Sequence, residues 1–361
     1  MFLTATNLVY YMLEMNFIAP NDVLFGHVKI VEAGRRNRNF KVLVRDAGVF
    51  LKQVKTIDAV ENSTLQREAD CYSFARKYPD WSKSMPRFLG FDSARKCLAV
   101  ELFREAENFV EHQFYLGQLD NQIAISIANA FASFHKLQPL PHDLELSSVS
   151  LPKRVPWILF FHRDNNRVSQ GVIELGNRIR GDLSLTNAID KLFHEWSRTA
   201  WIHGDMKWDN ILLAPDMNGD HRVKLVDWEL FDLGDPLWDV GGFFHSFMVS
   251  VVAAKLRLPS SADTHDVESL VADMKPFGDF LRTFWNQYAL ERQFETEDSR
   301  QQLQRALEFA AARMLQSAFE GLYYKDSLTQ EGEYLLALST YLLQNTNQFV
   351  EEIGLLMGEA I

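Results

Sequence analysis

Two carboxylates and a carboxamide at short, fixed spacing constrain this chain more than any other feature. In the stretch Trp201-Ile-His-Gly-Asp-Met-Lys-Trp-Asp-Asn-Ile-Leu-Leu213, Asp205 and Asn210 stand five residues apart, ahead of an apolar run. A second run, Val223-Lys-Leu-Val-Asp-Trp-Glu229, carries Asp227 at its end. Asn218-Gly219-Asp220 lies between them and supplies a strong turn signal, so Ile211 to Leu213 and Arg222 to Val226 are expected to pair as a hairpin. The hairpin would gather Asp205, Asn210 and Asp227. Oxygen-only ligands suit a hard cation that keeps waters and bridges phosphate oxygens, as magnesium on a nucleotide does.

Phosphoryl transfer needs positioning, a group to orient the attacking hydroxyl, and cations against the phosphate charge. On this reading Asp205 takes or orients the hydroxyl proton, Asn210 and Asp227 hold magnesium, and Lys207 reaches the γ-phosphate of ATP. His203 is expected to be a structural part of the loop, bonded to backbone carbonyls.

The first hundred residues supply a second set of candidates. Residues 1–20 read as a short helix ending at Pro20, and three strands follow at Val28 to Val31, Phe40 to Val44 and Val49 to Val54. The turn region from Glu32 to Asn39 holds Gly34, Arg35, Arg36 and Asn37, where a loop could fold over phosphates. Only one glycine is present, so the glycine-rich phosphate-loop pattern is not met. Strand alternation puts Phe50, Lys52 and Val54 on one face, and a lysine among apolar neighbours needs a partner. The next helix is expected to open at the capping signature Ser63-x-x-Gln66 and places Glu68 beside the apolar stripe of Leu65, Ala69 and Tyr72. A strand lysine held by a helix glutamate and reaching nucleotide phosphates is the arrangement used in kinases. Cys97 to Phe103 reads as a further strand; in the kinase architecture this would be the hinge, with Glu101 and Phe103 placed to meet the nucleotide base.

Farther on, residues 118–138 form an amphipathic helix whose His135 is expected to cap or pack. His162-Arg163-Asp164 has the letters of a protein-kinase catalytic loop, but the position five after Asp164 is Ser169, so the tripeptide is set aside. Residues 157–200 look helical. The apolar run Val240 to Ala254 reads as a buried helix too short to span a bilayer, and helices are expected over Val267 to Gln287, Glu297 to Tyr324 and Gly332 to Met357. In the last region Phe309, Met314, Phe319 and Tyr323 are assigned to the core. Trp201, Trp208, Trp228 and Trp238 are read as packing around the motifs.

A chain of 361 residues has room for two lobes, and a net charge of −11 disfavours a general nucleic-acid binder. Two cysteines, Cys71 and Cys97, are too few for a disulfide framework and fit a reducing, cytoplasmic setting. The N-terminus has no basic flank before its apolar run, so neither secretion nor a membrane role is expected.

These motifs together resemble the aminoglycoside phosphotransferase and choline kinase-like branch of the protein-kinase-like fold. His203-Gly-Asp205 with Asn210 is similar to that branch's catalytic loop, Asp227-Trp-Glu229 to its metal-binding motif, and Gly234-Asp235-Pro236-x-Trp238-Asp239-Val240-Gly241 to the signature that follows. The resemblance spans about residues 25–250. It implies an α+β, two-lobed fold with an antiparallel sheet plus helix in the N-lobe and a larger, mainly helical C-lobe. The expected division is an N-terminal helical extension over 1–20, a nucleotide-binding N-lobe over 21–103 and a catalytic, acceptor-binding C-lobe over 104–361. It also implies an ATP- and magnesium-dependent kinase acting on a hydroxyl, with Asp239 bracing the catalytic loop.

Lys207 departs from the small-molecule kinases, because Asp-x-Lys-x-x-Asn is serine/threonine protein-kinase spacing. The phrase His-Gly-Asp-Met-Lys-Trp-Asp-Asn looks like kinase components of class V lanthipeptide or thioamitide biosynthesis. There the acceptor would be a serine or threonine of a precursor peptide, with a partner lyase to follow. The acceptor therefore stays open between such a peptide and a small molecule of the aminoglycoside or choline type. A nucleotide-binding pseudokinase, or a scaffold for a partner enzyme, is the alternative of a different class. The intact Asp205 and Asp227 pair counts against it.

Overall fold

A computed structural model describes residues 2–34, 37–45, 47–55, 59–116, 119–139, 151, 154–163, 169–215, 221–257 and 266–356. In chain order, helices α1 (Ala5–Glu14) and α2 (Pro20–Leu24) precede strands β1 (Val28–Glu32), β2 (Arg38–Val44) and β3 (Ala47–Gln53). Helices α3 (Ala59–Ala75) and α4 (Pro79–Lys83), strands β4 (Phe88–Asp92), β5 (Cys97–Glu101) and β6 (Glu107–Asn108), and helix α5 (Phe109–Leu116) follow. Next come α6 (Asn121–His135), α7 (Gln170–Gly181), α8 (Leu183–His194), and strands β7 (Ala200–Ile202), β8 (Ile211–Pro215), β9 (His221–Leu225) and β10 (Asp232–Gly234). Helices α9 (Pro236–Arg257), α10 (Val267–Met274), α11 (Gly278–Glu291), α12 (Thr296–Gly321), α13 (Gln330–Gln344) and α14 (Thr346–Ile353) complete the chain.

The chain divides into two compact units, one of Met1–Tyr115, Leu140–Leu151 and Asp209–Phe231, the other of Leu116–Pro139, Pro152–Trp208 and Asp232–Ile361. The first is built on an antiparallel sheet in the order β1-β2-β3-β5-β4. Side chains alternate across it. Phe40, Val42, Val49, Leu51, Cys97 and Ala99 form a core with Leu8, Tyr11 and Met12 of α1, so the N-terminal helix covers one face of the sheet. The opposite face carries Asn39, Lys41, Phe50, Lys52, Leu98 and Val100, which are left to line a cavity. The register Asn39↔Lys52↔Leu98 and Lys41↔Phe50↔Val100 sets them in two rows. Strands β8 and β9 pair as expected, with β6 on the outer side of β8.

Helix α3 begins at Ala59, so Ser63 and Gln66 lie inside it and are not a capping box; Gln66 instead donates to Asp70 one turn on, at 3.1 Å. The turn at Asn218-Gly219-Asp220 lies outside the described residues.

Among its described residues, the second unit is helical apart from the two-stranded ladder of β7 and β10. Helix α6 starts at Asn121 because Asp120 accepts the N–H of Gln122, later than the expected 118. Over residues 157–200 the regular helices are α7 and α8, preceded by short 3-10 turns. Proline and asparagine break the expected C-terminal helices: Pro276 separates α10 from α11, and Asn345 separates α13 from α14.

Helix α9 is 22 residues long, enough by length and composition to cross a bilayer, which corrects the shorter run read from the sequence. Two-thirds of its apolar window is nevertheless buried within the protein, as a core helix requires. Its closest packing is against α12, and Gly241 permits it: a Cβ there would stand 2.8 Å from the Ala306 carbonyl oxygen. Phe309 and Met314 are fully buried, whereas Tyr323 is 44% exposed and is not core. Trp201, Trp208, Trp228 and Trp238 are all buried.

Candidate active site

In the first unit a cavity of about 440 Å³ opens on the uncovered face of the sheet. That is the size of a small-molecule or cofactor site. Asn37, Lys52, Glu68, Glu101, Phe103, Asn210 and Asp227 all line it, which brings together seven residues separated by up to 190 positions in the chain. Gly34 does not line it. It lies in the tight connection between β1 and β2, where a Cβ would meet the Asn37 carbonyl oxygen at 2.9 Å. Arg35 and Arg36 lie outside the described residues. Arg38, the third arginine of that region, turns to the other side, with its guanidinium 5.2 Å from the Phe2 ring and donating to the Leu3 carbonyl at 3.3 Å.

Lys52 is the electrostatic centre of this cavity. Its Nζ donates to Glu68 Oε2 at 2.7 Å and to Asp227 Oδ1, and Glu229 Oε2 is 3.8 Å away. Burial works against the ammonium, but Glu68, Asp227 and Glu229 outweigh it and hold the lysine well above its usual range. For Glu68 burial dominates, pushing the carboxyl up to about 7 against the opposing pull of Lys52. Glu229 is a member of this cluster that the sequence reading left without a role. Its signal was its place two residues after Asp227.

The backbone around Asp227 is specialised. Its φ of 69° and ψ of 54° put a non-glycine residue in the left-handed region, which aspartate tolerates better than most. Next to it Trp228 is buried against Trp81, its indole donating to the Leu225 carbonyl at 3.1 Å, and Arg67 donates to the Glu229 carbonyl at 3.2 Å. These anchors fix the turn and aim Asp227 at the cavity. The N–H of Val226 also donates to the Asn210 carbonyl at 3.0 Å, tying the two expected metal ligands through the β8–β9 ladder.

Among the described residues no group of three or more His, Cys, Asp or Glu side chains forms a metal cage. Magnesium on a nucleotide takes one or two carboxylates and completes its shell with phosphate oxygens and water. Asp227, 37% exposed at its side chain, and the buried Asn210 fit such a set.

The second unit holds its own charged cluster. Lys207 Nζ lies 2.6 Å from Asp205 Oδ2, and the Arg313 guanidinium lies 3.4 Å from Asp205 Oδ1. Arg313, on α12, was not found from the sequence. Its one signal was a charged residue inside the otherwise apolar run Ala310 to Leu315. His203 is fully buried and its Nδ1 accepts the N–H of Asp205 at 3.3 Å.

Asp239 braces the loop as expected. Its Oδ2 accepts the N–H of His203 at 2.6 Å and its Oδ1 the N–H of Gly204 at 3.0 Å. His135 does more than cap α6: Nε2 lies 3.1 Å from Asp239 Oδ2, and Nδ1 lies 3.0 Å from the Tyr288 hydroxyl, which accepts from Arg292 at 2.9 Å. Burial pulls the His135 pKa down against the opposing influence of Asp239. His162 and Arg163 pair with Asp190, and Asp164 lies outside the described residues.

A lysine–glutamate pair beside Asp227, and Asp205 held on a braced loop, are features of a kinase-like phosphotransferase. A profile of the APH phosphotransferase enzyme family matches residues 27–268, and the chain belongs to that family. No curated protein matches it in sequence. Among solved structures it is similar to an ethanolamine kinase of Plasmodium vivax, at a TM-score of 0.58 and 13% identity, over 94% of this chain and 89% of that one. The GDP complex of aminoglycoside 2′-phosphotransferase-IIIa gives 0.54 and 14%, over 94% and 99%. A choline/ethanolamine kinase family protein of Mesorhizobium loti gives 0.51 and 16%, over 95% and 97%. At these identities the likeness concerns the fold, which is the α+β, two-lobed, protein-kinase-like one. The protein is a phosphotransferase with an alcohol group as acceptor.

Proposed function

We propose that the protein transfers the γ-phosphate of ATP to a hydroxyl group of a small molecule of the amino-alcohol or aminoglycoside type. The observation that carries this reading is Lys52, held by Glu68 and Asp227 in a cavity that also presents Asn210. The base end of the cavity is apolar, with Phe50, Leu98, Val100 and Leu212. The N–H groups of Glu101 and Leu102 are taken by the carbonyls of Arg87 and Gly48, at 2.9 and 3.0 Å, so main-chain contact to a base falls to Phe103 and its neighbours. Lys52 orients the phosphates. Asn210 and Asp227 would hold magnesium, whose bound charge lowers the repulsion among phosphate oxygens. Asp205 takes the proton of the attacking hydroxyl while the bond to the β–γ bridging oxygen breaks and ADP leaves. The relatives named for ethanolamine, choline and aminoglycosides support a small acceptor. The ATP supply and the two free, buried cysteines suit a cytoplasmic setting.

One observation favours a second acceptor class. Lys207 sits directly on Asp205 at 2.6 Å, in the Asp-x-Lys-x-x-Asn spacing of serine/threonine protein kinases. A precursor peptide of a lanthipeptide or thioamitide type, followed by a lyase, would use that arrangement. Mass spectrometry after incubation with Mg·ATP and a panel of choline, ethanolamine, kanamycin and serine- and threonine-containing peptides separates the two. A gain of one phosphate on a small compound supports the first reading, and phosphate on peptide alone replaces it with the second.

A further inference from the structure

We propose that Arg313 is the positioning residue of the phosphotransferase reaction, fixing Asp205 through Oδ1 so that Oδ2 is the oxygen that receives the acceptor's proton. This rests on the assignment of Asp205 as the base. The two cations on that carboxylate differ in kind. Lys207 is 39% exposed at its side chain, whereas the Arg313 side chain is 6% exposed and held from several sides. Its Nη2 donates to the Met206 carbonyl at 3.0 Å and reaches Asp205 Oδ1 at 3.4 Å, and its Cζ lies 4.9 Å from the centre of the Trp238 ring. One arginine therefore holds both the side chain of Asp205 and the backbone of the residue after it.

The fold makes room for this contact. At Gly242 of α9 a Cβ would fall 2.1 Å from the Met206 carbonyl oxygen and 3.1 Å from Arg313 Cζ, so only glycine lets the loop carbonyl and the guanidinium meet over the helix. At Gly241 a Cβ would collide with the Ala306 carbonyl and Phe309, so the same pair of glycines lets α12 come close enough to deliver the arginine.

Packing alone would not select a guanidinium here. Charged groups resist burial, and the Nε of Arg313 is buried without a hydrogen-bond partner, so the residue is not fully satisfied by the protein. What it gains is a fixed orientation of the base. With Oδ1 taken by a buried, planar donor, Oδ2 faces Lys207. Oδ2 accepts the hydroxyl proton as the new P–O bond forms and the bond to the β–γ bridging oxygen breaks.

The test compares Arg313→Ala, Arg313→Lys, Gly242→Ala and Asp205→Asn in the full chain, following ADP formation from Mg·ATP with water and with the best acceptor of the panel. Displacing a base by an ångström costs up to roughly 10²-fold, so Arg313→Ala should lose about 10- to 100-fold in kcat while KM for ATP stays within about threefold. Millimolar guanidinium should restore part of the kcat of Arg313→Ala, and Arg313→Lys should keep more activity than Arg313→Ala. A wild-type kcat in Arg313→Ala overturns the inference. So does a loss that guanidinium leaves unchanged and that parallels a lowered melting temperature and weakened nucleotide binding. If Arg313→Ala does not fold, Gly242→Ala decides, since it keeps the arginine and displaces the carbonyl it holds. A wild-type kcat there is contradictory. Full activity in Asp205→Asn would instead overturn the assignment of the base.

Discussion

Lys52 Nζ lies 2.7 Å from Glu68 Oε2, with the two side chains only 8% and 4% exposed. Taking such a pair out of water is costly, and removing one partner leaves the other charge uncompensated. Lys52→Met should therefore lower stability by about 3–5 kcal/mol as well as weaken the handling of ATP, measured by thermal unfolding and nucleotide binding. Arg313 is buried on the other unit and should not move with it.

Glu68 adds a pH dependence. Its pKa in the folded protein is about 7, above the usual carboxylate value. A raised carboxylate pKa means that the folded state holds the proton more tightly. The stability this contributes is complete below the unfolded value and is lost as pH rises through the folded value. Melting temperature should fall across that window more steeply in wild type than in Glu68→Gln. Activity runs the other way, since only the charged form pairs fully with Lys52. The kcat/KM for ATP should rise toward pH 7 and above in wild type, and stay low and flat in Glu68→Gln.

Asp227 combines a left-handed backbone with a carboxylate proposed to hold magnesium. Asparagine tolerates the same backbone but has less charge to offer a cation. In Asp227→Asn the melting temperature should fall less than in Lys52→Met, because Glu68 and Glu229 still face the lysine, while the gain in ATP affinity on adding magnesium disappears. Calorimetric titration of ATP with and without magnesium reads this directly. An undiminished magnesium effect in the variant would remove Asp227 from the metal site.

The chain from Arg292 through Tyr288 and His135 to Asp239 stiffens the loop that carries Asp205. His135→Phe fills the space but leaves the Asp239 carboxylate and the Tyr288 hydroxyl short of a partner, a cost of about 1–3 kcal/mol. Because burial depresses the histidine pKa, its contribution to stability is present above the ordinary imidazole value and lost as pH falls. Thermal unfolding between pH 5 and 8 should show that acid-side slope in wild type and not in His135→Phe, with kcat lowered at every pH.

What was legible in the sequence was local. Period-two alternation placed Lys52 on the cavity face, helical spacing placed Glu68 beside it, and the β8–β9 hairpin put Asn210 near Asp227. All of them line one cavity. Spacing also favoured packing for the four tryptophans. The misreadings came where local signals compete with tertiary structure. Ser63-x-x-Gln66 imitates a cap inside a helix that starts four residues earlier. Arg38 reads as a phosphate-loop arginine, yet strand alternation turns it toward Phe2. Arg313 was invisible because its partners, Asp205 and Met206, lie more than 100 positions away and only the close approach of α9 and α12 joins them.

Asp205 is proposed to drive transfer of phosphate from ATP to a hydroxyl. Mass spectrometry of the acceptor panel after reaction with Mg·ATP, wild type beside Asp205→Asn, tests this. One added phosphate is expected with wild type and a rate lower by about 10²- to 10⁴-fold with the variant, whose fold and nucleotide affinity are retained. Equal rates for the two proteins, or no phosphate on any acceptor, would contradict it.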